Sequence, residues 1–376
     1  MNKIKKTTTT TTENTKETKK DKVVEKTRNK QLEKLVDDLN KKFGENALTV
    51  GFIKDKDGNI EIKRIPTGSF ALDVALGGGI PEGRMTQISG AYSSTKTSQA
   101  IHILKQAQKL GYVCAFIDVE GTTTPNFLEE LGVDTDILVY MNPDSMEEAT
   151  EAILTLQKSK LVHFAVLDSI AALSTNKEMD TSMEDTVRIG IPQQLMGEFC
   201  RKYQMNNNRL KREKEKPFTL IVLNQLREKI STYGDPEYTP GGRAIGFTIS
   251  VDIRFRRGDW ITEGTGDSRS IVGQIVKFKV EKNKTFKRMQ VGEFDFYFDE
   301  NNSLIPKYYN DNLKEVIVCG VERGIIERAG AWFIYKDIKT QGLKNFVDTL
   351  RENKELVEQI KKEVLELVIT RGIKND

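Results

Sequence analysis

The sequence predicts an α/β fold whose core is a mostly parallel sheet with helices on both faces. Between about residues 66 and 300, short β-rich runs alternate with segments of helical periodicity. The first runs are continuously apolar, which is typical of parallel strands that are buried on both faces. The later runs are less often separated by helices, and this favours an antiparallel extension of the same sheet.

The elements of this core follow from the same patterns. Strands are predicted at residues 85–89, 113–118, 163–168, 218–224, 249–255, 271–280 and 293–298. Helices are predicted at residues 97–109, 125–131, 146–158 and 190–205. The core is therefore expected to span residues 66–314.

The segments on either side of the core differ from it in composition. Residues 1–29 hold nine Lys/Arg, four Asp/Glu and a threonine run, so they are predicted to be a disordered basic tail. Residues 30–65 are predicted to form a helix that ends at Gly44 and then an extended stretch; the apolar stripe of the helix is Leu32, Leu35, Val36, Leu39 and Phe43. Residues 315–376 are predicted to form a small α/β module, with helical runs at 312–319, 321–328 and 342–368 and a hairpin around Trp332 to Lys339.

Composition limits the class of protein. The 376 residues, of which 38% are apolar, are enough for two or three folded units. The three cysteines lie far apart in the sequence, which favours a reducing compartment over a disulfide framework. The sequence has no apolar run of 18 residues, so a cytoplasmic location is expected and a membrane span is not. Outside the tail, 49 basic and 51 acidic residues nearly balance, so DNA binding there needs local basic patches.

One segment has the context of a phosphate-binding loop, because it follows the first core strand and opens the first core helix. Its residues are Gly90, Ala91, Tyr92, Ser93, Ser94, Thr95, Lys96, Thr97 and Ser98. In such a loop, backbone N–H groups face an anion, Lys96 reaches the terminal phosphates and the Thr97 hydroxyl contacts Mg²⁺. Thr95 stands where the strict pattern has its second glycine, so an ordinary strand–turn–helix connection is the alternative.

Two carboxylates follow neighbouring strands. Asp168 ends an apolar strand and is a candidate Mg²⁺ ligand or, alternatively, a helix cap. Glu120 follows another strand and is a candidate general base for an attacking water, although a single Glu in a loop is usually only solvated. Because ligands of open α/β sheets bind at the carboxyl ends of the strands, these residues are expected to meet the loop in one crevice.

Several longer runs resemble bacterial RecA. They are residues 65–84, 168–173, 224–227, 241–242, 282–284 and 329–332. The resemblance covers about residues 30–368, and Thr95 together with the segment around Thr124 and Pro125 is more similar to bacteriophage recombinases of the UvsX kind. It implies a RecA-like P-loop ATPase core with an N-terminal polymerisation helix and a small C-terminal α/β domain.

The resemblance also implies an activity and its partners. The chain is expected to be an ATP-dependent recombinase that uses ATP and Mg²⁺, forms a filament of its own copies on single-stranded DNA and exchanges strands with duplex DNA. Single-strand-binding and loader proteins are further expected partners. Gln225 would sense the γ-phosphate, and Lys282 and Lys284 would reach the ATP of the neighbouring protomer. Without the resemblance, we would interpret these three as a polar strand end and two solvated charges.

The resemblance assigns further residues to the base and to DNA. Phe127 and either Tyr308 or Tyr309 would stack on adenine, although isolated aromatic residues are usually part of a core. The stretches 176–190 and 227–242 lack periodicity, as most surface loops do, and would line the filament axis. Ile189 and Ile230 are at the positions that would separate base triplets. The residues that match positions near the phosphates are Arg201, Arg227, Gly241, Gly242 and Arg243.

Departures from the family pattern leave alternatives open. Gln194 stands where RecA usually has an arginine, residues 203–217 are longer and more charged, and the C-terminus lacks an acidic tail. Thr95 motivates a second hypothesis, a filament-forming DNA-binding scaffold or mediator with impaired ATP turnover. A third hypothesis is another hexameric ATPase of the same fold, such as a helicase. The helix at 30–43 and the module around Trp332 favour the recombinase over this third hypothesis.

Overall fold

The computed structural model describes residues 19–44, 62–176, 190–228, 237–238, 240–264, 269–299 and 305–373. The chain divides into two compact units, residues 1–61 and 62–376. The described part of the first unit contains helix α1 (Lys19–Phe43). It begins before the predicted Lys30, so the prediction of a disordered tail is wrong for residues 19–29. That stretch is rich in Lys and contains neither Gly nor Pro, so its charge does not prevent a helix.

The second unit alternates helices and strands along most of its length. Its helices are α2 (Phe70–Leu76), α3 (Lys96–Lys109), α4 (Pro125–Glu130), α5 (Met146–Ser159), α6 (Ile191–Arg212), α7 (Gly242–Thr248), α8 (Asn312–Glu322), α9 (Leu343–Arg351) and α10 (Lys354–Ile373). Its strands are β1 (Arg64–Ile65), β2 (Ile80–Pro81), β3 (Met85–Gly90), β4 (Cys114–Asp118), β5 (Val139–Met141), β6 (Phe164–Asp168), β7 (Thr219–Gln225), β8 (Arg227–Glu228), β9 (Glu237–Tyr238), β10 (Val251–Glu263), β11 (Ser270–Asn283), β12 (Val291–Tyr297), β13 (Glu327–Ala329), β14 (Trp332–Tyr335) and β15 (Ile338–Gln341).

The main sheet has the predicted mixed topology. Its strand order is β12-β11-β10-β3-β7-β6-β4-β5. The strands from β10 to β5 pair in parallel, whereas β11 and β12 extend the sheet in antiparallel pairing. The carboxyl ends of β3, β4, β6 and β7 therefore lie at one edge of the sheet, where the crevice was expected.

The sheet is buried on both faces, as the continuous apolar strands predict. In β6, Phe164 and Val166 belong to the core beneath α3, while Ala165 and Leu167 belong to the core beneath α5 and α6. This alternation follows from the period of two in a strand, which sends successive side chains to opposite faces. The parallel strands thus form the buried centre from which the site residues project.

Several short elements escaped the sequence analysis. β5 was missed because two of its three side chains are exposed, so it shows no apolar run. α2 was missed although Ser69 caps its start and Gly77, with φ 77°, ends it. The helix predicted at 190–205 continues to Arg212, so most of the unusually charged segment 203–217 is helical. The charged side chains tolerate this because they lie on the solvated face of α6.

The C-terminal module differs from its prediction in two respects. Its first helix, α8, begins at Asn312, where the helical run was predicted to begin. The helix predicted at 321–328 is wrong, because the chain turns at Gly324 with φ 73° and then forms β13 of a three-stranded sheet with β14 and β15. The single helix predicted at 342–368 is two helices, since the side chain of Asn353 accepts a hydrogen bond from the Leu356 backbone N–H and caps α10.

Among the helices of the described ranges, none combines the length and the apolar character that crossing a membrane requires.

Candidate nucleotide and DNA site

The loop between β3 and α3 is packed closely around its own backbone. A Cβ on Gly90 would lie 2.5 Å from the Ser94 Oγ and 2.7 Å from the Phe255 carbonyl oxygen, so only glycine fits there. The Ser94 hydroxyl and the Lys96 ammonium both donate to the Ala91 carbonyl oxygen at 2.8 Å. The loop thus curls over the N-terminus of α3, the geometry in which backbone N–H groups face an anion.

The other loop residues have distinct surroundings. Tyr92 is 93% exposed and contributes no packing to the loop. The Ser93 carbonyl oxygen accepts a hydrogen bond from the Gln274 side-chain amide at 3.1 Å, so β11 supports the loop from the side. Ser98 lies half-buried in the first turn of α3. The loop is therefore held at both ends and exposed at its tip.

Thr95 is the residue at which the loop departs from the strict pattern. Its backbone lies in the left-handed region, with φ 61° and ψ 20°. Glycine is favoured in this region and β-branched residues are disfavoured. The Thr95 hydroxyl donates to the Ser94 carbonyl oxygen at 2.6 Å and does not cap α3. The backbone therefore has the conformation of a glycine-containing loop although the residue is threonine.

The first turn of α3 meets the end of β6. The Thr97 hydroxyl donates to Asp168 Oδ2 at 2.7 Å. Burial raises the pKa of Asp168 to about 6, the hydrogen bond from Thr97 opposes this, and the charges of Glu120 and Asp118 add to it. Burial lowers the pKa of Lys96, against the attraction of Asp168 and Glu120. An ammonium and a carboxylate that are both partly desolvated favour a ligand that carries charges of both signs, such as a metal polyphosphate.

Glu120 lies where β4, β6 and β7 end together. The Ser169 hydroxyl donates to Glu120 Oε1 at 2.7 Å. The Gln225 side-chain amide donates to the same oxygen at 3.2 Å. Gln225 pairs with Gly90 across β7 and β3, which places it beside the start of the phosphate-binding loop. The structure therefore brings together the loop, Asp168, Glu120 and Gln225, which the sequence assigned separately.

Asp118, which is fully buried at the end of β4, was not among the residues predicted from the sequence. Its carboxylate accepts hydrogen bonds from the backbone N–H groups of Gly121 and Thr123 at 2.9 and 2.8 Å and from the Tyr140 hydroxyl at 3.0 Å. These bonds fix the turn that carries Glu120. The only signal in the sequence was a carboxylate at the end of an apolar strand, and the Tyr140 partner lies on β5, which was itself not predicted.

The aromatic candidates for the base lie against each other. The rings of Phe127 and Tyr308 are 5.1 Å apart between centroids, with their planes at 78°. Tyr309, the alternative, uses its hydroxyl to accept from Lys105 Nζ at 2.5 Å and to donate to the Leu131 carbonyl oxygen at 2.9 Å. Because the ring of Tyr309 is held by these bonds, Tyr308 is the better candidate for base stacking, and this role stays a prediction.

Lys282 and Lys284 lie at the end of β11 and contact α7 of their own chain. Lys282 Nζ donates to the Gly246 carbonyl oxygen at 2.6 Å, and Lys284 Nζ donates to the Phe247 carbonyl oxygen at 3.0 Å. Burial lowers the pKa of Lys282, and the neighbouring charge of Lys284 acts in the same direction. Two adjacent ammonium groups are thus placed at one helix end without a carboxylate bonded to either in the described part of the chain.

Strand register separates these lysines from the phosphate-binding loop. Asn283 pairs with Val251, which pairs with Thr86 on β3. Thr86 precedes Gly90 by four residues, which is about 13 Å along a strand at roughly 3.3 Å per residue. The structure therefore places Lys282 and Lys284 at the opposite edge of the sheet from the loop of their own protomer.

Some of the predicted DNA-binding residues surround the contact of α6 with α7. Arg201 on α6 and Arg243 on α7 are both exposed. A Cβ on Gly242, whose φ is 74°, would lie 3.1 Å from Gln193 Cγ, so this glycine allows the two helices to approach. Gly241 precedes α7 with φ 100°. The two arginines are thus exposed on helices that pack together, and their contact with DNA stays a prediction.

The remaining DNA candidates follow β7 or lie outside the described residues. The exposed Arg227 donates to the Ala171 carbonyl oxygen at 3.4 Å. The Asn224 side-chain amide donates to the Pro240 carbonyl oxygen at 2.9 Å and so connects β7 to the start of α7. Ile189 and Ile230 lie outside the described residues, together with most of the two predicted loops.

Comparison with known proteins gives concordant matches over most of the chain. The family model of the RecA N-terminal domain matches residues 30–303, and that of the RecA C-terminal domain matches residues 314–368. Protein RecA of Paenarthrobacter aurescens is 39% identical over 342 residues, which cover 90% of this chain and 92% of that protein. Protein RecA of Chlorobaculum parvum is 38% identical over 352 residues, 93% of this chain and 95% of that protein. Protein RecA of Ruminococcus albus is 37% identical over 355 residues, 92% of this chain and 83% of that protein.

Proposed function

The chain belongs to the RecA family, and on this premise we propose how its own residues bind ATP and DNA. It is an ATP-dependent recombinase that forms filaments on single-stranded DNA and catalyses homologous pairing and strand exchange. It is accordingly a DNA-dependent ATPase. The observation that carries the residue assignment is the meeting of the phosphate-binding loop with Asp168, Glu120 and Gln225 at one sheet edge.

The first assignment concerns the phosphates and the metal ion. The loop N–H groups and Lys96 would hold the phosphates, and Lys96 would exchange its bond with the Ala91 carbonyl oxygen for phosphate oxygens. Thr97 and Asp168 supply a hydroxyl and a carboxylate oxygen 2.7 Å apart, and Mg²⁺ prefers oxygen ligands. Bound there, Mg²⁺ would neutralise charge on the transferred phosphoryl group. This donor set fits the ATP and Mg²⁺ that the family uses.

The second assignment concerns the hydrolytic step. Glu120 would accept the proton of the water whose oxygen attacks the γ-phosphorus, as the bond to the β-γ bridging oxygen breaks. Its Oε1 accepts from Ser169 and Gln225, so both neighbours orient it. A Gln225 amide that turns to the γ-phosphate must release Glu120, which frees the carboxylate oxygen for water. The hydrogen bond between Gln225 and Glu120 thus supports the role of Gln225 as a γ-phosphate sensor.

The third assignment concerns the contact between protomers. Lys282 is level with Gln87, about 10 Å along the strand from Gly90, and Lys284 lies farther away, so both would serve the site of a neighbour rather than their own. Leu32, Leu35 and Phe43 of α1 are 42%, 53% and 57% exposed. A helix with such an apolar stripe needs a surface to cover it. Both features support self-association into a filament.

The fourth assignment concerns DNA and other partners. Arg201, Arg227 and Arg243 would contact the DNA backbone, and Gly241 and Gly242 would allow it to approach closely. Ile189 and Ile230 would separate base triplets. Single-strand-binding and loader proteins stay predicted partners. The relatives compared above are bacterial proteins, so a bacteriophage UvsX-like subtype stays a finer prediction, supported by Thr95 and the Thr124–Pro125 segment.

Replacing Lys282 and Lys284 with alanine tests whether these lysines complete the ATP site of the neighbouring protomer. The double variant should bind ATP as the parent protein does but lose the stimulation of hydrolysis by single-stranded DNA. A control that removes the same charge elsewhere is Lys158→Ala with Lys214→Ala, at exposed positions in α5 and in the connection from α6 to β7. The measurement is steady-state ATP hydrolysis with and without single-stranded DNA. Normal stimulation in the Lys282/Lys284 variant would refute the action between protomers.

A further inference from the structure

Helix α3 carries three polar side chains at a spacing of three residues on one face. They are Gln99, His102 and Lys105, here called the α3 row. Each of them contacts one residue of the segment 308–310, which includes the candidate for base stacking. Since α3 begins at the phosphate-binding loop, this row connects the phosphate end of the site to the segment at its base end.

The middle contact holds Tyr308 in an unusual backbone conformation. Tyr308 has φ 67°, in the left-handed region that a bulky residue rarely adopts. His102 Nε2 lies 2.8 Å from the Tyr308 carbonyl oxygen. Because a carbonyl oxygen only accepts, Nε2 must carry the proton. Burial lowers the pKa of His102 to about 4, so at neutral pH the ring is neutral and carries its single proton on Nε2. The Tyr308 N–H donates in turn to the Tyr297 carbonyl oxygen at 2.8 Å.

The outer contact connects the segment to α4, which carries the other candidate aromatic residue. Lys105 Nζ donates to the Tyr309 hydroxyl, which donates to the Leu131 carbonyl oxygen just beyond α4. A Cβ on Gly132 would lie 2.7 Å from Lys105 Nζ and 3.1 Å from the Tyr309 hydroxyl oxygen. Glycine at this position therefore makes room for the contact, and Phe127 on α4 is held relative to Tyr308.

The inner contact lies next to the phosphate-binding loop. The Asn310 side-chain amide donates to Gln99 Oε1 at 3.2 Å, and Gln99 Nε2 donates to the Thr67 carbonyl oxygen at 2.8 Å. Gln99 is 1% exposed, so breaking these bonds would leave a buried amide without partners. The three contacts together fix the whole segment against α3.

We propose that the α3 row positions the walls of the base pocket, and that His102 is the residue that holds Tyr308 in the conformation which presents its ring to adenine. The proposal rests on the proposed nucleotide site and adds to it. It assigns no contact with substrate to His102, so His102 is a positioning residue. It follows that loss of the His102 contact should affect ligands that carry a base and spare ligands that consist of phosphates alone.

The test compares two ligands, ATP and inorganic tripolyphosphate, each titrated with Mg²⁺ into the full-length protein without DNA. His102→Leu should weaken ATP binding by about threefold to tenfold, the range expected for one lost hydrogen bond. Tripolyphosphate affinity should be unchanged. His102→Gln, whose amide nitrogen can also donate to the Tyr308 carbonyl oxygen, should recover ATP binding. In hydrolysis assays, His102→Leu should raise KM for ATP and leave kcat as it is.

Matched variants separate this role from a general effect on folding. Gln108→Leu removes hydrogen bonds from the same helix to the Asp134 backbone and should leave both affinities unchanged. Tyr309→Phe removes one oxygen atom from the outer contact and should weaken ATP binding in the same selective way. Equal weakening of both ligands in His102→Leu, or unchanged ATP binding in it, would overturn the proposal. Lys96→Ala should weaken both ligands, and if it weakens neither, the proposed nucleotide site itself fails.

Discussion

Replacing Thr95 with glycine removes a Cβ from a backbone whose φ is 61°. A residue with a Cβ costs roughly 1–2 kcal/mol in this conformation, and glycine avoids that cost. The change also removes the hydrogen bond from the hydroxyl to the Ser94 carbonyl oxygen, which lowers stability by about 0.5–1.5 kcal/mol. Glycine also gives the unfolded chain more conformational entropy, which lowers stability by roughly 0.5–1 kcal/mol. Because these terms nearly cancel, the free energy of unfolding should change by no more than about 1 kcal/mol.

The effect on function depends on whether the loop must change shape when ATP binds. Thr95 already has the dihedral angles that glycine would adopt, and its hydroxyl has a partner within the loop. We therefore expect the loop to be adapted to threonine. Thr95→Gly should keep the dissociation constant for ATP and the DNA-stimulated kcat within about twofold of the parent values, because strain that is present before and after binding cancels.

The assay combines nucleotide titration, steady-state hydrolysis with single-stranded DNA and urea unfolding. Lys214→Gly is the matched control, since Lys214 has φ 56°, is exposed and lies far from the loop. It isolates the backbone contribution, so the difference between the two variants reports the hydroxyl bond. A gain of more than about tenfold in ATP affinity or in kcat for Thr95→Gly would refute the reasoning and show that threonine impairs ATP binding or turnover, respectively.

Glu120→Gln should keep ATP binding and filament assembly but lower kcat by roughly 10²-fold or more, because an amide cannot accept the proton of water; hydrolysis at the parent rate would place the base elsewhere. Burial raises the pKa of Glu315 to about 8, so the folded protein binds a proton more readily than the unfolded chain between about pH 4.5 and 8. The free energy of unfolding should therefore fall with rising pH across this window, by at most about 1.4 kcal/mol per pH unit for this group. In Glu315→Gln, the free energy of unfolding measured with urea should fall less steeply with pH; an equally steep fall would exclude this carboxyl as the cause. Deleting residues 2–18, which hold four lysines and two glutamates, should reduce the salt dependence of duplex binding and leave ATP hydrolysis at saturating single-stranded DNA unchanged. If the affinity for duplex DNA falls with salt concentration as steeply as in the parent protein, the segment makes no phosphate contacts.

The site residues that could be predicted are those that lie next to a strand or helix which the sequence itself predicts. Asp168 ends a continuously apolar strand and Lys96 opens a helix, so sequence order alone placed both at the carboxyl edge of a parallel sheet. The antiparallel extension was predicted from strands without helices between them, and the register confirms it. These features depend on periodicity, which a single sequence records directly.

The unpredicted part depends on contacts between distant segments. Nothing near His102 in the sequence indicates that it binds the Tyr308 carbonyl oxygen, 206 residues away. Asp118 was not singled out because its partners come from a turn and from β5, a strand too short and too exposed to show a pattern. The predicted single helix at 342–368 failed because one side-chain cap, at Asn353, outweighs a continuous helical composition.

The separation of Lys282 and Lys284 from their own phosphate-binding loop has a consequence for the ends of a polymer. In the proposed arrangement, a filament of n protomers contains n − 1 complete catalytic centres, because one terminal protomer has no neighbour to supply Lys282 and Lys284 to its ATP site. Turnover per protomer would then rise with length towards a plateau, and a dimer would work at half the limiting value. The two termini would also differ, since only one of them would hold ATP without hydrolysing it, and exchange of protomers could proceed there with intact nucleotide.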